Sequence, residues 1–217
     1  MKTRIVCSAF ALALSVAVPV VQAQISIGPM AGVSIYTFTG SDAEIFDADL
    51  STSKSSRVGF LGGAFAEFEF GNVFALEPQL LWVQKGAKYN VNLTDGTGSG
   101  SATVKLDYIQ FPVLLKAEYR QAGKDFAPSL FAGPAVAFKT SCKITAEADG
   151  VSASDDCASD AISSTDWSLI FGLGFEFKRF EFQARYDLGL SSVPQDSAVD
   201  IKNGGWGFTL GYGIPIK

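Results

Sequence analysis

From Ile25 onward the chain alternates apolar with small or polar residues and nowhere sustains a helical period. Eight alternating segments can be placed at about 25–38, 57–70, 73–88, 103–119, 127–140, 166–178, 180–192 and 204–216. The intervals between them are long and short in turn: 39–56, Gly71-Asn72, 89–102, 120–126, 141–165, Arg179 alone and 193–203. Successive connections of an up-and-down antiparallel sheet lie at opposite ends, so the long intervals share one end and the tight turns the other. Outer-membrane barrels have this asymmetry, with long extracellular loops and short periplasmic turns. A tilted spanning strand needs only about 9–11 residues, which every segment supplies. The pattern therefore predicts an all-β fold: an eight-stranded antiparallel up-and-down transmembrane β-barrel.

The two faces of each strand differ sharply. In "LDYIQFPVLLKAEYR" (106–120) one face reads Ile109, Phe111, Val113, Leu115, Ala117 and Tyr119. The other reads Tyr108, Gln110, Pro112, Leu114, Lys116 and Glu118. Across the chain the small-or-ionic face carries the acids Glu67, Glu69, Glu77, Glu118, Glu176, Glu181 and Asp187 and the bases Arg57, Lys85, Lys116, Lys178 and Arg185. A soluble ligand-binding barrel would turn the apolar face inward and these charges to water, whereas a membrane barrel does the reverse. An eight-stranded interior is just wide enough for its own side chains, and a ring of Phe and Trp would crowd it. Small residues such as Gly59, Gly63, Gly172, Gly174 and Gly207 suit a narrow lumen shared with long ionic neighbours.

The aromatic residues point the same way. Trp82, Trp167 and Trp206 fall toward the long-loop end, and Tyr119 and Phe177 toward the tight turns, as interface girdles do. Charges in so narrow a lumen must pair and hydrogen-bond. Glu77, Lys85, Lys116, Glu118, Glu176, Arg185 and Asp187 are therefore expected to form a structural ionic network that fills the lumen. Pro112 cannot donate to the ladder in a barrel without free edges, so a bulge or a locally missing bond is expected there.

The first 23 residues stand apart from the alternation. Lys2 and Arg4, the apolar run from Ile5 and the Val21-Gln22-Ala23 end read as a cleaved secretory signal, leaving residues 24–217 as one barrel domain. Loss of Lys2 and Arg4 takes the formal charge from −5 to −7, which disfavours nucleic acid as a partner. The two remaining cysteines, Cys142 and Cys157, share one polar segment of an exported chain and are expected to form a loop disulfide. The chain has no histidine, which excludes histidine-based catalysis and histidine zinc sites. "GTGSGS" (96–101) lacks the Lys-Ser/Thr of a phosphate loop and reads as a flexible connection. The long intervals are acidic at Asp42, Glu44, Asp47, Asp49, Glu147, Asp149, Asp155, Asp156 and Asp160. Plain solvation accounts for them, with calcium at Asp47/Asp49 or Asp155/Asp156 the minor alternative. No catalytic residue, resident metal or cofactor is expected.

Several segments resemble the PorT-like outer membrane β-barrel family. "EPQLLWVQKGAK" (77–88) and "LDYIQFPVLLKAEY" (106–119) are similar to its paired strand motifs, "LFAGPAVAF" (130–138) to its Ala-Gly-Pro strand, and "FQARYDLGL" (182–190) to its Ala-Arg-Tyr strand. The match spans essentially the whole mature chain, although the chain ends "GYGIPIK" where outer-membrane strands usually finish on an aromatic residue. The resemblance implies a barrel in a Gram-negative outer membrane, inserted by the barrel assembly machinery. It implies no single activity, since PorT itself is an accessory of type IX protein export.

Four functions are then in competition. The first is a monomeric structural or interaction barrel, embedded in outer-membrane lipid, whose acidic loops meet partners outside the cell. A small pore or an accessory of secretion comes next, followed by an outer-membrane enzyme with carboxylate or serine chemistry. A soluble ligand-binding barrel is the outsider.

Overall fold

The computed structural model describes residues 24–43, 51–92, 99–120, 125–148, 151–158, 161–195 and 199–216. The expected signal peptide and the Asp47/Asp49 pair lie outside the described residues. The strands are β1 (Ile25–Thr39), β2 (Ser51–Phe70), β3 (Phe74–Asn92), β4 (Ser99–Glu118), β5 (Phe126–Ala148), β6 (Val151–Asp156), β7 (Thr165–Phe177), β8 (Phe180–Gly189), β9 (Lys202–Tyr212) and β10 (Ile214–Ile216). Neighbours in the chain pair antiparallel, β7 follows β5 around the ring, and β1 pairs with β9 to close it. β10 continues the line of β9 along β1, and β6 folds back on β5 alone. Eight strands therefore form the barrel. Closure gives each spanning strand two partners, which hydrocarbon requires because it offers backbone groups none.

The faces separate as the alternation predicts. On β4, Leu106, Tyr108, Gln110, Leu114, Lys116 and Glu118 are buried, while Phe111, Val113, Leu115 and Tyr119 are exposed. Lys116 is 2% exposed and Leu115 next to it 57%. A water-soluble barrel could not hold that inversion, because it would bury charge and wet its apolar wall. The tight turns close one end: Gly71 takes φ 68° between β2 and β3, and Lys178 takes φ 61° between β7 and β8.

The strands run further than the sequence indicates. β2 to β5 are 20, 19, 20 and 23 residues long, about twice what the hydrocarbon needs. Much of the intervals 39–56, 89–102 and 141–165 is thus strand, not loop. Upper β2, β3, β4, β5 and β6 pair in series as a five-stranded sheet standing above the barrel. Register shifts at Ser56/Leu61 and Asp107/Tyr108 mark where this sheet leaves the ring. Cys142 and Cys157 are joined by a disulfide at the base of the β5–β6 hairpin.

Pro112 interrupts the ladder without a bulge. Between β3 and β4 the pairing passes from Pro78↔Val113 to Leu81↔Gln110 and skips Pro112 at unchanged register. Between β4 and β5 it passes from Pro112↔Ala135 to Leu115↔Ala132 and skips the place of Pro134. Pro78 likewise falls in a gap against β2, between Phe65↔Gln79 and Phe68↔Leu76. Each of these prolines leaves its gap on the strand that precedes it, consistent with its missing N–H. The other side of each strand stays paired, so the ring tolerates the loss.

Candidate functional site

Together with the buried apolar clusters of Met30, Leu61, Phe65 and Leu81 and of Leu114, Phe131 and Ile170, the lumen is filled by two ionic layers. In the lower one, the Lys116 ammonium on β4 bonds Glu77 at 2.8 Å and Glu118 at 3.2 Å, and also bonds Glu67 and Glu181. Gln183 donates to Glu77 at 2.8 Å and to Glu181 at 2.9 Å, and Gln79 accepts from the Arg185 guanidinium at 2.7 Å. Glu67, Glu77 and Glu181 converge within 4.8 Å of one another, the spacing of a metal site. Here the Lys116 ammonium is the shared cation, because it bonds all three.

Nearer the tight turns, Arg120 reaches Glu118 at 2.5 Å, Glu69 at 3.1 Å, Glu176 at 3.2 Å and Glu67 at 3.3 Å. Six glutamates thus share two cations in this layer, with Arg185 one step above. A small polar vestibule lined by Glu67, Glu69, Glu176 and Glu181 opens beneath them.

The upper layer is built around Lys85 on β3. Its ammonium lies 3.1 Å from Asp166 and 3.2 Å from Asp187, and 5.2 and 5.5 Å from the ring centres of Tyr36 and Tyr108. Asp187 also accepts from the Tyr36 hydroxyl at 2.7 Å and from Gln110 at 2.8 Å, while Asn203 donates to Asp166 at 3.0 Å. Flanking rings and two carboxylates offset much of the cost of burying this charge. Glycine makes the room: a Cβ at Gly207 would lie 3.2 Å from Arg185, and one at Gly172 would lie 2.7 Å from the Phe131 ring.

Above Lys85 an apolar cap closes the outer mouth. Phe38, Ala43, Leu106, Tyr108, Val193 and Ile201 pack there, with Ile162 and Val199 against them. Among the described residues, ionic layers below and an apolar cluster above occupy the lumen. Chemically the arrangement rigidifies the barrel.

Every residue expected in the ionic network except Glu176 is buried, and Glu176 sits half-buried at the lower mouth. One further charge of the small-or-ionic face lies outside the lumen. Lys178 is exposed in the β7–β8 turn, 5.5 Å from the centre of the Phe177 ring. Arg57, opposite Tyr36 of β1, is half-buried on the inward face beside the Lys85 layer, where it donates to the Lys85 carbonyl and lies 3.9 Å from Asp107. Arg120, Asp166, Tyr36 and Asn203 join the network without being marked by the alternation. Trp82, Trp167 and Trp206 are exposed on the outer wall toward the long-loop end, and Tyr119 and Phe177 toward the turns. Asp155 and Asp156 lie exposed on β6.

Comparison with known proteins names the architecture. A family model described as "Outer membrane protein beta-barrel domain" matches residues 22–195. The chain belongs to this outer-membrane barrel family. Its location is the outer membrane, and its lipid-facing wall is the Phe- and Leu-rich face described above. Among solved structures it is similar to Ail, the attachment invasion locus protein of Yersinia pestis, crystallised with the heparin analogue sucrose octasulfate. That likeness has 16% identity and a TM-score of 0.40, covering 88% of this chain and 99% of that one. OprG from Pseudomonas aeruginosa gives 14% identity and a TM-score of 0.44, over 89% of this chain and 95% of that one. Neisserial surface protein A gives 11% and 0.41, over 87% and 96%. These likenesses concern the fold alone. No curated protein matches the chain.

Proposed function

We propose that this outer-membrane barrel is an interaction protein whose extracellular sheet offers the open edge of β6 to an extended segment of an external protein. One observation carries the reading. Among the described residues β6 pairs with β5 alone, and all six of its residues are exposed. Edge strands are normally blunted by proline, lysine, a bulge or a cover. β6, "VSASDD", has no proline or lysine, and its pairing with β5 is regular throughout. The Cys157 amide donates to the Cys142 carbonyl at 3.2 Å, so the alternation points the amides of Ser152 and Ser154 away from β5. A strand added there would gain main-chain bonds, with Asp155 and Asp156 favouring a basic residue.

The test is a photo-crosslinker at Ala153 on intact cells exposed to host or environmental protein. The reading expects adducts in the parent and their loss in Ser152→Pro/Ser154→Pro, with the heat-modifiable barrel preserved. Adducts that survive the double proline would rule out edge pairing. The filled lumen supports this reading over a pore. An accessory role in export, as the PorT-like motifs imply, could use the same edge, and cargo held in the periplasm of a deletion strain would favour it.

A further inference from the structure

The outward face of the same sheet carries a different feature, independent of the β6 edge. Along β4 the lipid-facing series Leu115, Val113, Phe111, Ile109 continues upward into Asp107, Lys105 and Thr103. Lys105 lies directly opposite Lys143 of β5 in the ladder. Lys88 of β3 is opposite Thr103, one diagonal step from Lys105 on the same face. Three lysines thus crowd one patch of a chain whose formal charge is −5.

Like charges directly opposite each other on a sheet destabilise it. Among the described residues no acid closes an ion pair with these lysines, and none of the three ammoniums makes a side-chain hydrogen bond. Asp156 faces Lys143 from β6 without closing a bridge, Asp107 is taken by Arg57, and Glu147 accepts from Ser101 at 3.4 Å. The patch also has a definite height. Lys105 is four residues beyond Ile109, about 13 Å along the strand, or roughly 10 Å up at the usual tilt. That places it at headgroup level on the extracellular side, beyond the Trp82↔Ile109↔Phe138 row of the outer wall.

We propose that Lys88, Lys105 and Lys143 bind the phosphate of an outer-leaflet lipid headgroup. Ammonium groups on adjacent strands can share the oxygens of one phosphate through charge-assisted bonds. The hydroxyl of Thr103, on the same face, adds a donor. Such a site would anchor the barrel's height and tilt in the leaflet while relieving the lysine repulsion.

The test uses the full mature protein in phosphatidylcholine nanodiscs containing diphosphorylated lipid A, with retained lipid counted by native mass spectrometry. Lys105→Gln/Lys143→Gln should lower retention on the order of tenfold, while Lys54→Gln on the opposite face of the sheet should leave it unchanged. Lipid A stripped of both phosphates should be retained no better by the parent than by the double variant. Heat-modifiable gel mobility verifies that each variant is folded. Equal retention by the double variant, or equal retention of the phosphate-free lipid, would overturn the proposal. Complete displacement by inorganic phosphate at equal concentration would assign the patch to the free anion and overturn it as well.

Discussion

Lys116 and Glu77, on the paired strands β4 and β3, form a 2.8 Å ion pair at the centre of the lumen, where they are 2% and 0% exposed. Three more carboxylates touch the same ammonium. The layer therefore depends far more on its one lysine than on any one acid.

That asymmetry gives opposite expectations for two conservative variants. Lys116→Met keeps the volume but strands Glu77 and Glu181 without a cation and leaves Glu67 and Glu118 to Arg120 alone. It should cost about 3–5 kcal/mol of folding stability, the usual penalty for breaking a buried pair. Glu181→Gln removes one of an excess of acids and keeps a group that can hydrogen-bond Gln183. It should be neutral or stabilising. Urea unfolding in detergent micelles, followed by gel mobility of boiled and unboiled samples, measures both. A Glu181→Gln variant as unstable as Lys116→Met would contradict the charge count.

A second expectation concerns the proline gap. Gly133 lies beside the place where β4 and β5 stop pairing, and a Cβ there would fall 1.9 Å from the Val113 carbonyl oxygen. The contact is with backbone, so it can be relieved only by moving a strand. Gly133→Ala should destabilise by roughly 1–3 kcal/mol, whereas Ala132→Gly on the lipid face should cost no more than about 1 kcal/mol. The same unfolding midpoints decide between them.

The extent to which this molecule is legible in its sequence follows the contrast between its two faces. Where hydrocarbon meets one face and a packed lumen the other, alternation is strong, and Glu77, Lys85, Lys116, Arg185 and Asp187 are buried on the inward face. Above the membrane neither solvent is apolar. Ser, Thr and Gly dominate the upper parts of β2 and β4, and β6 has only Val151 and Ala153 as apolar residues, so the period fades and strand reads as loop. Arg120 was missed for a related reason. It lies two residues beyond Glu118, the last residue of β4, so nothing local marks it as a lumen residue. Its long side chain reaches four glutamates from that position. Asp166 and Asn203 are the second residues of β7 and β9, at the long-loop end, where parity has too few residues to read.

The two seals of the lumen yield the last expectation. The apolar cap of Phe38, Leu106, Tyr108 and Ile201 and the Lys85 layer beneath it are made from different residues and different interactions, apart from Tyr108, which joins them. Trimming one seal should therefore leave the other in place. In planar bilayers the parent and Phe38→Ala should show no steady conductance. Combining Phe38→Ala with Lys85→Ala removes cap volume and leaves Asp166 and Asp187 facing each other without their cation. Mutual repulsion should then draw in water and cations, so the double variant alone should conduct, with cation selectivity set by the freed carboxylates. Steady conductance in the parent would contradict the closed lumen, and a silent double variant that still folds would show that the lower Lys116 layer is a sufficient seal by itself.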